Sequence, residues 1–385
     1  MTRCPCCDAP YEYIYYNDGQ KRTQLKCKVC GGLFQLHKRF QNPPKYLCPY
    51  CHKTLFTWKL RPTVTIYKCG NKQCAHRLEK LKALNGDEQK IRPELYSQFK
   101  VNYQYRDYHF QLADLQVAKP AQPTISLNRI HKDINIVGLI LTLHISYAIT
   151  ARKTAHMLKN IWQISVAHQT VLNYAHAAAH YCHKFNQDNK GHVDDICAGD
   201  ETYVKVKAVW HYAWFFICAV SKKIAAYHFS DNRGAQPAIT TMLETIRTFK
   251  ADQKMTLVTD GNPSYMAGLH FINRCNAKLK VTLKKVIGLQ NLDDESEKYR
   301  AYKQMVERLN RTYKYHVQAQ NGFGNISGAV AKLVLFVTHY NFLRPHTSLK
   351  YKTPIELPEL SHLSTIQSKW CRILSLAGPT TGLAA

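Results

Sequence analysis

Cysteines and carboxylates are the residues whose spacing could do chemistry in this 385-residue chain. Cys4-Pro-Cys-Cys7 and Cys27-Lys-Val-Cys30 are two pairs with nineteen residues between them, and Cys48-Pro-Tyr-Cys51 and Cys69-Gly-Asn-Lys-Gln-Cys74 are two more with seventeen between them. A thiolate pair this close can place both sulfurs ~2.3 Å from one zinc ion, and two such knuckles complete a tetrahedral site. Two structural Zn²⁺ are expected, one on Cys4, Cys7, Cys27 and Cys30, the other on Cys48, Cys51, Cys69 and Cys74. Cys6 is a spare thiol able to exchange with Cys7, while His52 and His76 read as surface residues rather than substitute ligands.

The carboxylates of interest are Asp200, Asp260 and Glu307. Asp200 lies on an alternating strand pattern, and Asp260 follows the apolar run Met255 to Thr259, at the end of a strand where open α/β sheets place their sites. Glu307 falls in a helical stretch. Such a trio can hold two divalent cations ~3.5–4 Å apart, one activating an attacking oxygen and the other stabilising a leaving oxygen. Magnesium, or manganese in its place, suits all-oxygen ligation and phosphate substrates. Read from the residues alone, the three acids are equally compatible with surface acids or helix caps.

Charge narrows the partner. Fifty-three Lys and Arg against twenty-six Asp and Glu leave a formal +27, spread along the whole chain, which suggests nucleic acid rather than a membrane. No run approaches the ~20 apolar residues of a span; the best, Ile134 to Ile149, is broken by His144 and Ser146 and reads as a buried helix. The first thirty residues lack an apolar signal-peptide core. A cytoplasmic location is therefore expected, nucleoid-associated on DNA, with reduced cysteines and no membrane partner.

Several elements must position these groups. Nine of the fourteen cysteines lie in the first 74 residues, and hairpins over Tyr11 to Lys26, with Asn17-Asp18-Gly19 as its turn, and over Thr57 to Lys68, with alternating β-branched residues, predict two zinc ribbons, over 1–35 and 45–80. Lys38, Arg39, Lys45, Arg61 and Arg77 make ribbon contact with DNA plausible. Residues 84–124 read as an aromatic and basic patch followed by a linker. Over 126–190 three helices are expected, the third capped by Ser165. Their short, tight connection suggests a helix-turn-helix, with His168, Gln169 and Asn173 facing the major groove and Arg152, Lys153 and Lys159 near phosphates; an ordinary helical connector is the other reading. From Ile196 the order is strand, strand, strand, helix, strand, helix, which predicts an α/β, ribonuclease-H-like core over 191–360, followed by a tail over 361–385.

The core stretch resembles the integrase-core DDE transposases of bacterial insertion sequences. The likeness runs through Asp200-Glu-Thr-Tyr-Val-Lys-Val-Lys207, Thr259-Asp-Gly-Asn262, Val306-Glu-Arg-Leu-Asn-Arg-Thr312, Gly322-Phe323, His339-Tyr-Asn-Phe-Leu-Arg-Pro-His-Thr-Ser-Leu349 and Lys352-Thr-Pro-Ile-Glu356, and covers about residues 135–360. It implies that Asp200, Asp260 and Glu307 are the metal-binding triad, and that Asn310 and Lys314, on the same helix face as Glu307, steady the attacking water or the DNA end. The forty-six residues between Asp260 and Glu307 exceed the family's usual interval, which Glu295 would match. Glu307 is preferred because its neighbours keep the familiar order, whereas Glu295 sits in the acidic run Asp293-Asp-Glu-Ser-Glu297; Asp194 and Asp195 begin no strand. The resemblance implies an enzyme that recognises the terminal inverted repeats of its element, cuts a strand to release a 3′-hydroxyl and joins it to target DNA, as a homodimer or higher oligomer. A DNA-binding regulator derived from a transposase and a nuclease that only hydrolyses are the alternatives.

Overall fold

Short β-branched and aromatic runs between cysteine pairs fold into hairpins, and longer alternating runs build a second, larger sheet. The computed structural model describes residues 3–17, 24–35, 46–84, 101–127, 130, 132–249, 254–275, 280–290 and 292–378. Its contacts divide the chain into two units, Met1–Arg106 and Asp107–Ala385.

In the first unit, β1 (Ile14–Tyr16), β2 (Gln24–Cys27) and β3 (Leu33–Gln35) form an antiparallel sheet over a core of Cys4, Ala9, Leu25, Cys27 and Phe34. The hairpin of β4 (Phe56–Arg61) and β5 (Val64–Lys68) is followed by α1 (Ala75–Lys82), and β6 (Gln104–Tyr108) completes a sheet of order β4-β5-β6. Its core is Cys48, Leu55, Cys69 and Cys74, with Tyr46, Tyr67, Tyr103 and Tyr105 packed on it. Part of the expected aromatic patch thus belongs to this core. Cores of four or five residues bury too little apolar surface to fold a module unaided, so the cysteine clusters must supply the rest. The turn residues Asp18 and Gly19, and Lys38, Arg39 and Lys45, lie outside the described residues.

The second unit opens with α2 (Ile134–Leu141), which continues as a π-helical turn over Thr142–Ser146, then α3 (Ala151–Trp162) and α4 (His168–Asp188). A five-stranded sheet comes next: β7 (Ile196–Val206), β8 (Val209–Cys218), β9 (Ile224–Ser230), then α5 (Ala235–Ile246), β10 (Lys254–Thr259), α6 (Pro263–Cys275) and β11 (Lys280–Lys285). The chain ends in α7 (Asp294–Gln318), α8 (Ile326–Thr338) with a second π-helical turn over His339–Leu343, the short α9 (Pro358–Ser361) and α10 (Ile366–Ala377). Strand order is β11-β10-β7-β8-β9, antiparallel through β7, β8 and β9 and parallel through β7, β10 and β11. This mixed α/β arrangement is the expected ribonuclease-H-like core.

Strand alternation sorts the two faces. Ala198, Val204, Val206, Ala213, Phe215 and Ile217 point into one cluster with α4, α7 and α8. Cys197, Trp214, Phe216 and Cys218 point into another with α5 and α6, as the period of two requires. β7 turns into β8 through Lys207 and Ala208, both at positive φ (48° and 64°), a two-residue turn whose twist matches the strands.

The helices before and after the sheet pack differently from expectation. Thr150 caps α3 through Lys153 N–H, and Gln163 ends it in the left-handed conformation. α4 starts after Ala167 without a side-chain cap, so Ser165 does not cap it. α4 buries Val171, Tyr174, Ala175, Ala178, Cys182 and Phe185 in the same cluster as the sheet, so residues 126–190 share one core with β7, β8 and α8. The segment expected as a tail does too: Trp370 of α10 is fully buried and its Nε1 donates to Ser146 Oγ (3.0 Å). Within the expected linker, Asp107 pairs with Arg274 and the backbone N–H of Ala118 donates to His228 Nδ1 (3.0 Å). Among the described residues, one stretch, Ile326–Leu343, is long and apolar enough to cross a membrane, and it lies mostly buried in this core.

Around α8 the core is rich in buried nitrogen bases. His144, His316 and His339 are pushed down to about 3 and His346 to about 4, chiefly by burial and then by nearby cations such as Lys332 and Arg344. Burial pushes Lys332 down to about 7; its Nζ donates to the His144 carbonyl (2.9 Å). With folded values below the ordinary 6.5, these imidazoles bind protons first in the unfolded chain. Stability should therefore fall as pH drops from 6.5 towards 4, and Lys332 should lower it between pH 10.5 and 7. Urea unfolding across this range tests both: the midpoint should decline in each window, and Lys332→Met should flatten the upper one. A midpoint constant from pH 6.5 to 4.5 would contradict the first.

Candidate active site

β7 and β10 run parallel and pair as far as Ala198 with Val258, and the pairing ends there. Asp200 and Asp260 each stand two residues further along, side by side at the carboxyl end of the sheet where the strands part. Gly199 lets β8 lie close beneath this point; a Cβ here would meet Phe216 at 2.3 Å.

Asp200 turns towards α7. Its Oδ2 accepts from Lys303 Nζ and Asn310 Nδ2, both at 3.1 Å. Burial pushes the Asp200 carboxyl up to about 6; Lys303 pulls against this, while Glu201 and Asp260 add to it. Glu201, next along the strand, turns to the other face, and its carboxylate is 1% exposed. It accepts from Arg233 Nε (2.7 Å) and Nη2, from Tyr265 OH (2.7 Å) and from Asn262 Nδ2 (3.3 Å). The Asn262 backbone N–H in turn donates to Asp260 Oδ1 (2.9 Å). Ligand oxygens of Asp200, Glu201 and Asp260 lie within 4.8 Å of one another. Glu201 was not singled out from sequence, although an acid beside Asp200 in so basic a chain was a signal for it.

Glu307 projects from α7, which packs across β7, and lines a cleft of about 620 Å³ with Asp260, Lys303 and Arg233. Lys303, Glu307, Asn310 and Lys314 recur at helical spacing on one face. Lys314 is exposed, whereas Asn310 is buried and committed to Asp200. Glu295 stands twelve residues earlier on α7, ~18 Å along the axis, where it pairs with Lys284 Nζ (2.5 Å). Asp194 caps a turn by accepting from the backbone N–H groups of Val220 and Ser221. Neither belongs to the cleft. Four carboxylates thus gather at the sheet end, three close enough to share a cation and Glu307 facing the same cleft as Asp260. Such an all-oxygen donor set fits magnesium or manganese.

Arg152, Lys153 and Lys159 are exposed on α3, as are His168 and Gln169 in the first turn of α4. Asn173 is half-buried and accepts from Gln169 Nε2 (2.9 Å). In the first unit the thiols converge: Cys4–Cys30 and Cys51–Cys69 Sγ atoms are 3.6 Å apart, Cys7–Cys27 and Cys48–Cys74 3.7 Å. A tetrahedral ion with ~2.3 Å bonds sets its sulfurs about 3.8 Å apart, so both sets fit zinc. Cys6 is exposed and outside its cluster. His76 packs on Tyr50 (4.7 Å between ring centroids), Arg77 donates to Asn102 Oδ1 (2.7 Å), and His52 and Arg61 are exposed.

Residues 197–324 match a family model described as a DDE domain, of the IS240 transposase type, and residues 297–354 match one described as an integrase core domain. No curated protein matches the sequence. Among solved structures, the catalytic core domain of HTLV-2 integrase, determined in complex with magnesium, is similar at 16% identity, covering 42% of this chain and 94% of that one with a TM-score of 0.29. The simian T-cell lymphotropic virus intasome in complex with a PP2A regulatory subunit is similar at 21% identity, covering 59% and 75%, with a TM-score of 0.31. Both scores are low, so the architecture rests on the strand order of this chain itself.

The Arg233–Glu201 pair invites a double-mutant cycle. Arg233→Met leaves a buried carboxylate uncompensated and should cost about 2–3 kcal/mol, below the ~3–5 kcal/mol of fully buried pairs because Arg233 is 37% exposed. Adding Glu201→Gln should recover part of that loss in urea unfolding. Strictly additive losses would show that the two side chains are not coupled.

Proposed function

We propose that the chain is a DDE-type insertion-sequence transposase, a polynucleotidyl transferase, a reading supported by the family matches over residues 197–324 and 297–354, and that it cuts the ends of its element at Asp200, Asp260 and Glu307 and joins them to target DNA. The observation that carries this reading is the placement of Asp200 and Asp260 at the parting of β7 and β10, with Glu307 facing the same cleft as Asp260. Asp200, Asp260 and Glu307 would hold the divalent cations, which when bound supply Lewis acidity at the attacking and leaving oxygens. The remaining groups orient. Lys303 and Asn310 fix the Asp200 carboxylate, and Glu201, through Asn262, braces the turn that carries Asp260. In-line displacement at phosphorus then needs no covalent intermediate with the protein, and no Ser or Tyr nucleophile.

DNA reaches this centre, in our reading, along basic surfaces. Arg152, Lys153, His168, Gln169, Asn173 and Lys314 contact the terminal inverted repeats, and two zinc-bound ribbons add to that footprint. Two ends must be brought together before joining, so the working form is a homodimer or larger. A cytoplasmic enzyme associated with the nucleoid is consistent with its +27 charge.

Strand joining of a pre-cut element end to a plasmid, with Mg²⁺ or Mn²⁺, tests the catalytic reading. Asp200→Asn, Asp260→Asn and Glu307→Gln should each slow joining roughly a hundred- to ten-thousandfold, the effect of several kcal/mol of lost transition-state stabilisation. Glu295→Gln should leave it unchanged; joining that depends on Glu295 and not on Glu307 would reverse the assignment, and hydrolysis without joining would indicate a nuclease. For the ribbons, a thiol-reactive mercurial should release two equivalents of zinc per chain, and Cys27→Ser should leave one. Release of none would refute the zinc sites.

A further inference from the structure

One face of the β7–β8 hairpin is built from aromatic and basic side chains that the phosphoryl-transfer site does not use. Across the register Glu201 pairs with Trp214, Tyr203 with Tyr212 and Lys205 with Trp210, so all six side chains share that face. Its deeper part is closed, with Trp214 fully buried. Towards the turn it opens, leaving Tyr203 45% and Trp210 53% exposed. The two rings meet edge-on with centroids 5.8 Å apart; Lys205 Nζ lies 5.1 Å over Trp210 and the Arg233 guanidinium 5.5 Å over Tyr203. A groove of about 790 Å³ runs here, lined by Tyr203, Lys205, Trp210 and, from α7, Lys314.

We infer that this groove is a stacking subsite for an unpaired nucleobase of the DNA end, an assignment that rests on the transposase reading. Bases inside a duplex cover one another's faces, so exposed rings flanked by cations select a base that has left the stack, while the cations track its phosphates. Continuity with the catalytic centre supports this occupant over a protein partner. Arg233 touches Tyr203 and also lines the Asp260–Glu307 cleft. Lys314 stands seven residues beyond Glu307, ~10.5 Å along α7, a distance of about three stacked nucleotides. Cross-strand pairing accounts for Tyr203 against Tyr212. It does not account for an open groove beside Trp210 with Lys205 and Lys314 on its walls.

Binding of the full-length chain to two labelled duplexes tests the subsite, one blunt and one ending in a short oligothymidine extension. Trp210→Ala should weaken binding of the extended duplex about tenfold, the effect of one lost base–aromatic stack, and hardly change binding of the blunt one. Trp210→Phe, which keeps a ring, should retain most of the preference and controls for folding. Equal weakening on both duplexes, no weakening on either, or a change of oligomeric state in place of affinity would overturn the subsite while leaving the transposase reading intact. Wild-type chain that binds neither duplex would overturn both.

Discussion

Two parallel strands that stop pairing after Ala198 and Val258 set the geometry on which everything near the cleft depends. The parting places Asp200 and Asp260 together, and Glu201 joins them within 4.8 Å. Three carboxylates this close repel unless each is answered. The chain answers them separately: Lys303 and Asn310 on Asp200, Arg233 and Tyr265 on Glu201, and the Asn262 backbone on Asp260. Long α7 is what lets one element supply Lys303, Glu307 and Asn310 to a single site. Its N-terminal turn, which carries Glu295, lies outside the cleft that Glu307 lines.

Much of this was legible in the chain because its physics is local. Alternation over Thr202 to Lys207, the aromatic and apolar run Trp210 to Val220 and the run Ile224 to Phe229 mark three strands, and the apolar run before Asp260 marks the fourth. Cysteine pairs announced the two sulfur clusters, since ligand spacing is itself a local constraint. Glu201 was missed for a physical reason: adjacent strand residues point to opposite faces, so an acid next to Asp200 looks as if it must leave the site. Only the ring of Arg233, Tyr265 and Asn262 brings it back.

What could not be read was which distant surfaces meet. Residues 126–190 carry a helix-turn-helix pattern, and nothing within them shows that Val171, Ala178 and Phe185 close against α8. The same holds for residues 361–378, where Trp370 finds its pocket more than two hundred residues upstream. Ser165 was a sound cap by type, yet the chain enters α4 two residues later, as packing of Val171 and Tyr174 dictates. The first unit shows the opposite balance. Its cores are too small to specify much, and the thiol geometry carries the organisation.

The clasp between the two ends of the second unit has a consequence for how the protein is made. Gln367 Nε2 donates to the Asn135 carbonyl, and Trp370 to Ser146, so the helix that covers α2 comes from more than two hundred residues further along the chain. Contacts of such sequence separation form late. During synthesis residues 366–377 must emerge before α2 and α4 can be covered, whereas Met1–Arg106 can make its internal contacts once the first hundred or so residues have emerged. Truncation before Ile366 would therefore leave cysteine-rich modules with their contacts made, attached to a core whose α2 lacks its cover.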